Sequence, residues 1–166
     1  MIADLGQRDI YLPTSRGFDH YLGIPYSQDI GTSFWACDGN IPRDGAYCNS
    51  RPAQPYQPVP LPLLNDSSPN TGHVVEQPAD LFTIALKYAA EAADFVATNA
   101  ASSTPFLLYF PFNHIHGPQS CGARWCGQSA RGPIGDATEE VDWMVGEVMT
   151  ALKASAAAKD TLVFFT

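Results

Sequence analysis

Residues 105–111 read Pro-Phe-Leu-Leu-Tyr-Phe-Pro, an unbroken apolar run closed at both ends by proline. No polar residue interrupts it, so it has neither the alternation of a half-exposed strand nor the stripe of an amphipathic helix. The pattern predicts a strand buried on both faces, as in a parallel sheet. Its surroundings agree. Pro78 suits a first helical turn, with Asp80 near the positive end of the helix dipole. Leu81, Ala85, Leu86, Ala89, Ala92, Ala93 and Val96 then recur at helical spacing, and Ser102-Ser103 closes the segment. The alanines would let this helix lie close to a neighbour. After the apolar run comes a glycine-rich loop over 113–135. Asp136 then reads as a helix N-cap, with Glu139 three residues on. Val141, Met144, Val145, Val148, Met149 and Leu152 mark one apolar face. Asp160 leads into Thr161-Leu162-Val163-Phe164-Phe165, a second predicted buried strand. Helix, strand, helix, strand with short connections is the α/β pattern.

The first part of the chain, 1–77, is a different kind of sequence. It carries most of the Pro, Gly, Asn and Ser, and segments such as Arg51-Pro52-Ala53-Gln54-Pro55 and Val59-Pro60-Leu61-Pro62 cannot be helical. The expectation is one domain over 1–166, with a loop-rich segment over 1–77 and the regular α/β core over 78–166. The 166 residues suffice for one domain with a real core.

Charge narrows the function classes. Seventeen acidic residues against nine basic ones give a formal net charge of -8, and no basic run occurs, which argues against a nucleic-acid partner. Any anion site must therefore be locally cationic or metal-assisted. The apolar runs are strand-sized, far short of the roughly 20 residues of a membrane span. Met1-Ile2-Ala3-Asp4 shows no basic region followed by an apolar core, so no signal peptide is read there.

Four cysteines, Cys37, Cys48, Cys121 and Cys126, lie in loop-like, glycine-rich contexts. Local pairing, Cys37 with Cys48 and Cys121 with Cys126, suits a secretory compartment. Free thiols and a four-thiolate zinc site are the alternatives, although gaps of this length do not match zinc knuckles. The sequon Asn65-Asp66-Ser67, expected in a loop, makes Asn65 a glycosylation candidate.

In open α/β sheets, ligands collect beyond the carboxyl ends of strands. Asn113-His114-Ile115-His116-Gly117-Pro118-Gln119 follows the first predicted strand directly. An H-x-H in extended chain puts both rings on one side, an arrangement suited to metal ligands. A histidine there could equally donate to an oxyanion or act as general acid, or both could be loop residues making backbone contacts. His20 and His73 have no neighbours resembling a metal site. No nucleophile elbow, Walker loop or dinucleotide fingerprint occurs.

The run Tyr11-Leu12-Pro13-Thr14-Ser15-Arg16-Gly17-Phe18-Asp19-His20-Tyr21-Leu22-Gly23-Ile24-Pro25-Tyr26-Ser27 resembles the arylsulfatase family, closest to its A type. The resemblance resumes at Val59-Pro60-Leu61-Pro62-Leu63-Leu64, with Asn65 where the family often carries a glycosylated Asn. It continues through Pro105 to Tyr109, His114 to Gln119, Gly132 to Asp136 and Thr161 to Thr166. Residues 28–58 match poorly. Leu5-Gly6-Gln7 matches the tail of the family's K-W-H-L-G, but Ala3-Asp4 stands where its Trp and His belong.

This resemblance implies an alkaline-phosphatase-like α/β core and hydrolysis of sulfate esters, whether of small molecules, glycans or lipids, in a lysosomal or secreted setting. It implies calcium and a formylglycine made from the cysteine of a C-x-P-S-R motif. No cysteine of this chain stands in that motif, and the family's D-N-G metal motif is expected just after Thr166. Two roles carry over. His116 matches the histidine that contacts the sulfate and serves as hydrogen-bond donor and candidate acid; Ser27 matches a serine near the sulfate. His114 takes a supporting role, because the family's calcium takes oxygen ligands. The expectation is that this chain lacks nucleophile and metal ligands and is inactive alone. The rival expectation is a non-catalytic, sulfatase-derived protein that binds an anion or a partner.

Overall fold

The computed structural model describes residues 8–28, 60–102, 104–117 and 119–166. Two helices and one small sheet make up its regular structure. Helix α1 spans Ile84–Ser102 and helix α2 spans Gly132–Ala154. The sheet is antiparallel and comes from the segment predicted to be loop: β1 is Tyr21–Gly23, β2 is Leu63–Asp66 and β3 is Val74–Glu76, in the order β1-β2-β3. Tyr21 pairs with Asp66 and Gly23 with Leu64, while Leu63 pairs with Glu76 across a register irregularity. The turn between β2 and β3 is organised by the buried carboxylate of Asp66, whose Oδ1 accepts from Thr71 Oγ1 at 2.7 Å and from the His73 amide at 2.8 Å. Gly72 follows with φ of +53°, the left-handed conformation such a turn needs.

The two predicted parallel strands are a correction. Residues 105–113 and 161–166 run without any strand ladder among the described residues. Alternate side chains of the first segment do pack. Phe106 meets Phe95 of α1 edge-on at 5.7 Å, and Phe110 and Phe112 lie against the main core. Leu107 and Tyr109 point away and are exposed, as are Leu162, Phe164 and Phe165. A ladder requires a neighbouring strand to share backbone hydrogen bonds, and the one sheet among the described residues, β1-β2-β3, includes neither run.

The main core joins Leu61 and Leu63 at β2, Ala79 and Leu81 at the entry to α1, Ile84, Ala85, Tyr88 and Ala89 of α1, and Met144 of α2. The small side chains of α1 lie against α2, as the alanine spacing predicts. Leu86, expected on the buried face, is exposed, and Tyr88 and Ile84 are buried in its place. Pro78 does not open the helix. It follows a cis bond from Gln77, and Asp80 then organises the approach by accepting from the Phe82 amide at 3.0 Å and from Thr83 Oγ1 at 2.8 Å. Burial pushes the Tyr88 phenol well above its ordinary value, against a weaker pull from the backbone of Ile24. Tyr21 is raised in the same direction, by burial first and then by Tyr88 and Asp66 nearby.

Helix α2 begins at Gly132, four residues before the expected cap. Asp136 is therefore inside the helix and buried, and its carboxylate turns back onto the preceding loop. It accepts from the amides of Gly127 at 2.7 Å, Gln128 at 3.1 Å and Ser129 at 2.7 Å. The buried face of α2 also includes Glu140, which the apolar periodicity passes over.

Candidate functional site

The His114–His116 loop is held from two sides. From one side comes the segment that follows β1. Gln28, buried next to Ser27, donates through Nε2 to the carbonyl of His116 at 2.6 Å, and its Oε1 accepts from Asn113 Nδ2 at 2.7 Å. Ser27 and His116, far apart in sequence, are thereby brought to neighbouring segments. From the other side, Glu140 of α2 receives His114 Nε2 at 3.0 Å, with both side chains almost fully buried at 1% and 0% exposure. The Gly122 amide donates to both oxygens of the same carboxylate, at 3.1 and 3.2 Å.

Gly122 is required by this packing. A Cβ there would come within 2.9 Å of the Phe82 carbonyl and 3.0 Å of Glu140 Oε1. The preceding residue, Cys121, is bonded to Cys126, so the loop that delivers Gly122 is closed covalently. Trp125 within that small loop packs on Trp143 of α2, ring centroids 4.9 Å apart. This bond rules out a four-thiolate zinc site. Cys37 and Cys48 lie outside the described residues.

The two histidines have opposite environments. Glu140 only accepts, so His114 Nε2 carries a hydrogen, and Nδ1 is buried with no partner among the described residues. His116 is exposed. Its Nδ1 donates to the Gly117 carbonyl at 2.6 Å, because a carbonyl can only accept. Nε2 is then the nitrogen His116 presents outward, and it donates a hydrogen bond when the ring is an imidazolium. One ring buried against a carboxylate and one exposed is not the geometry of a metal-binding H-x-H. Among the described residues no three His, Cys, Asp or Glu side chains stand together as a metal site. The described residues therefore do not by themselves fit a calcium ion.

Asn65 is on β2 rather than in a loop, half-buried, with its backbone N–H donating to the His73 carbonyl at 3.0 Å. It borders a cleft lined by Leu22, Leu63, Val75, Lys87 and Glu91, which shares no residue with the His116 loop. His20 stands apart from that loop as well: its Nε2 lies 2.8 Å from Glu91 and its Nδ1 3.3 Å from Ser67 Oγ. His73 is exposed.

Sequence reasoning singles out His116 and Ser27 but misses Gln28, Asn113, Glu140 and Gly122. A glutamate interrupting the apolar face of α2 is the one signal that was there to read.

The sulfatase family matches residues 8–166, nearly the whole chain. The chain belongs to the sulfatase family. Arylsulfatase A of Bos taurus is 36% identical over 168 residues, and arylsulfatase G of Canis lupus familiaris 34% identical over 167, each covering 98% of this chain. A shorter match, 40% over 93 residues, joins it to steryl-sulfatase of Rattus norvegicus and covers 56% of this chain. The chain spans about 30% of the length of the two arylsulfatases. Membership of the sulfatase family implies an alkaline-phosphatase-like α/β architecture, of which the described residues form two helices and a small antiparallel sheet. No helix among the described residues is long and apolar enough to cross a membrane.

Proposed function

We propose that this chain is the central section of a sulfatase that hydrolyses sulfate esters, and that it contributes His116 and Ser27 to the sulfate-binding site. The observation that carries the reading is the tethered loop within the sulfatase-matched region. Gln28 fixes the backbone of His116 beside the Ser27 segment, and the exposed His116 ring has one nitrogen committed to the Gly117 carbonyl. Its other nitrogen serves as a hydrogen-bond donor to a sulfate oxygen and as the acid that protonates the bridging ester oxygen as the S–O bond breaks, so that it leaves as the alcohol.

In this reading the nucleophile, a formylglycine, and a calcium ion come from parts of a longer protein, and the 166-residue chain alone turns over nothing. The modified aldehyde supplies the attacking oxygen when present. The disulfide between Cys121 and Cys126 suits a lysosomal or secreted setting, and Asn65 is the candidate glycan acceptor.

The test is to express the protein with the complete sulfatase domain and assay it with a nitrophenyl sulfate. Release of nitrophenol is expected, and His116→Ala should lower kcat by about 100-fold, the usual scale of a lost hydrogen bond to charge developing in the transition state. No sulfate release from the complete protein, or full activity in His116→Ala, refutes the reading.

A further inference from the structure

Glu140 is a fully buried carboxylate on the face of α2 that otherwise carries Met144 and Leu152 into the core. An apolar residue would be less costly in such a place, because a buried charge needs both a partner and hydrogen bonds to be tolerated. Glu140 has both. Oε2 takes His114 Nε2, and the two oxygens share the Gly122 amide. These contacts join α2, the disulfide-closed loop and the His114–His116 loop at one point. They are also directional. A carboxylate that accepts from Nε2 selects one imidazole orientation and one tautomer, which packing alone does not do.

Two residues along the loop, the His116 carbonyl is held by Gln28, and Gln28 is itself held by Asn113. The loop is thus fixed at 113, 114 and 116, while the His116 ring is left exposed. We infer that Glu140, acting through His114, is a positioning residue for His116, with Gln28 holding the same loop from the opposite side. This rests on the reading above that His116 acts on the sulfate ester.

The experiment is a double-mutant cycle in the protein carrying the complete sulfatase domain, with a nitrophenyl sulfate as substrate. Glu140→Gln keeps the side-chain volume and removes the charge. It is expected to lower kcat by about 10- to 100-fold, the usual effect of losing a group that orients a functional one, with KM changed by less than about threefold. On a His116→Ala background the same change should cost nothing further, because the group it positions is gone. Gln28→Leu should behave in the same way, and it carries the test if Glu140→Gln does not fold. A merely structural role would instead multiply with His116→Ala. Multiplicative losses, or wild-type kcat in both Glu140→Gln and Gln28→Leu, overturn the inference while leaving His116 its role. A His116→Ala protein with full activity overturns both.

Discussion

The strongest local test of the fold is Asp136→Ala. The sequence suggests a helix cap, and a cap lost to alanine costs about 1 kcal/mol at the first turn of the helix. In the structure the same carboxylate is buried inside α2 and accepts three amides of the preceding loop, from Gly127, Gln128 and Ser129. Hydrogen bonds to a charged group contribute roughly 1.5–3 kcal/mol each. Gly127 and Gln128 are exposed, so water replaces part of what is lost. Taking about 1 kcal/mol for each of the three gives about 3 kcal/mol for the loop. At about 1.4 kcal/mol per tenfold, these amides should exchange with deuterium roughly 100-fold faster in the variant. Hydrogen–deuterium exchange read by mass spectrometry on a peptide spanning 127–129 measures this directly. Asp136→Asn should fall between, since Oδ1 can keep Gln128 and Ser129 while an amide nitrogen faces the Gly127 donor. If exchange at 127–129 changes by less than about fivefold in Asp136→Ala, and the amides of 138 and 139 accelerate in its place, Asp136 acts as a cap and does not anchor the loop.

Other expectations follow from the same packing. Burial raises the phenols of Tyr21 and Tyr88, so the folded state favours their neutral forms. That contribution is complete below the ordinary tyrosine value near 10 and is lost as pH rises through the raised values; each tyrosine should steepen alkaline destabilisation by up to about 1.4 kcal/mol per pH unit, and Tyr21→Phe should remove one share in urea titrations between pH 9 and 11. Replacing Cys121 and Cys126 by serine reopens a short loop and should cost about 2 kcal/mol, the chain-entropy value for that length, with greater exposure of Trp125 seen in its fluorescence. The 166-residue chain expressed alone should bind an apolar dye and self-associate, because Leu162 is 91% exposed and Phe164 83%. A sharp monomeric melt without dye binding would contradict this.

The helices were legible because their evidence is local. The alanine spacing of α1 and the apolar face around Met144 describe which side of each helix is covered, and burial follows them at Ala85, Ala89, Ala92, Met144 and Leu152. The sheet was not legible. Its strands are three or four residues long and sit in proline- and glycine-rich chain, and β1 meets β2 only after a separation of some forty residues. A pairing of that range depends on where the helices place both segments, which no window of sequence contains. The apolar runs at 105–111 and 161–165 misled for a related reason. Their composition states that they are to be covered, but covering needs a neighbour, and the described residues cover only one side of the first.

The candidate site divides in the same way. The sequence by itself determined that a histidine pair follows an apolar run, that Ser27 lies in a specific aromatic and glycine-rich segment, and that the chain carries a formal net charge of -8. Only the tertiary structure decided that the two histidines differ. His114 is buried against Glu140 because α2 passes beneath the loop, and His116 is exposed because Gln28, from the other end of the chain, holds its carbonyl and not its ring. Hydrogen-bond direction and burial are properties of neighbours in space, and these neighbours lie 26 and 88 residues away in the chain.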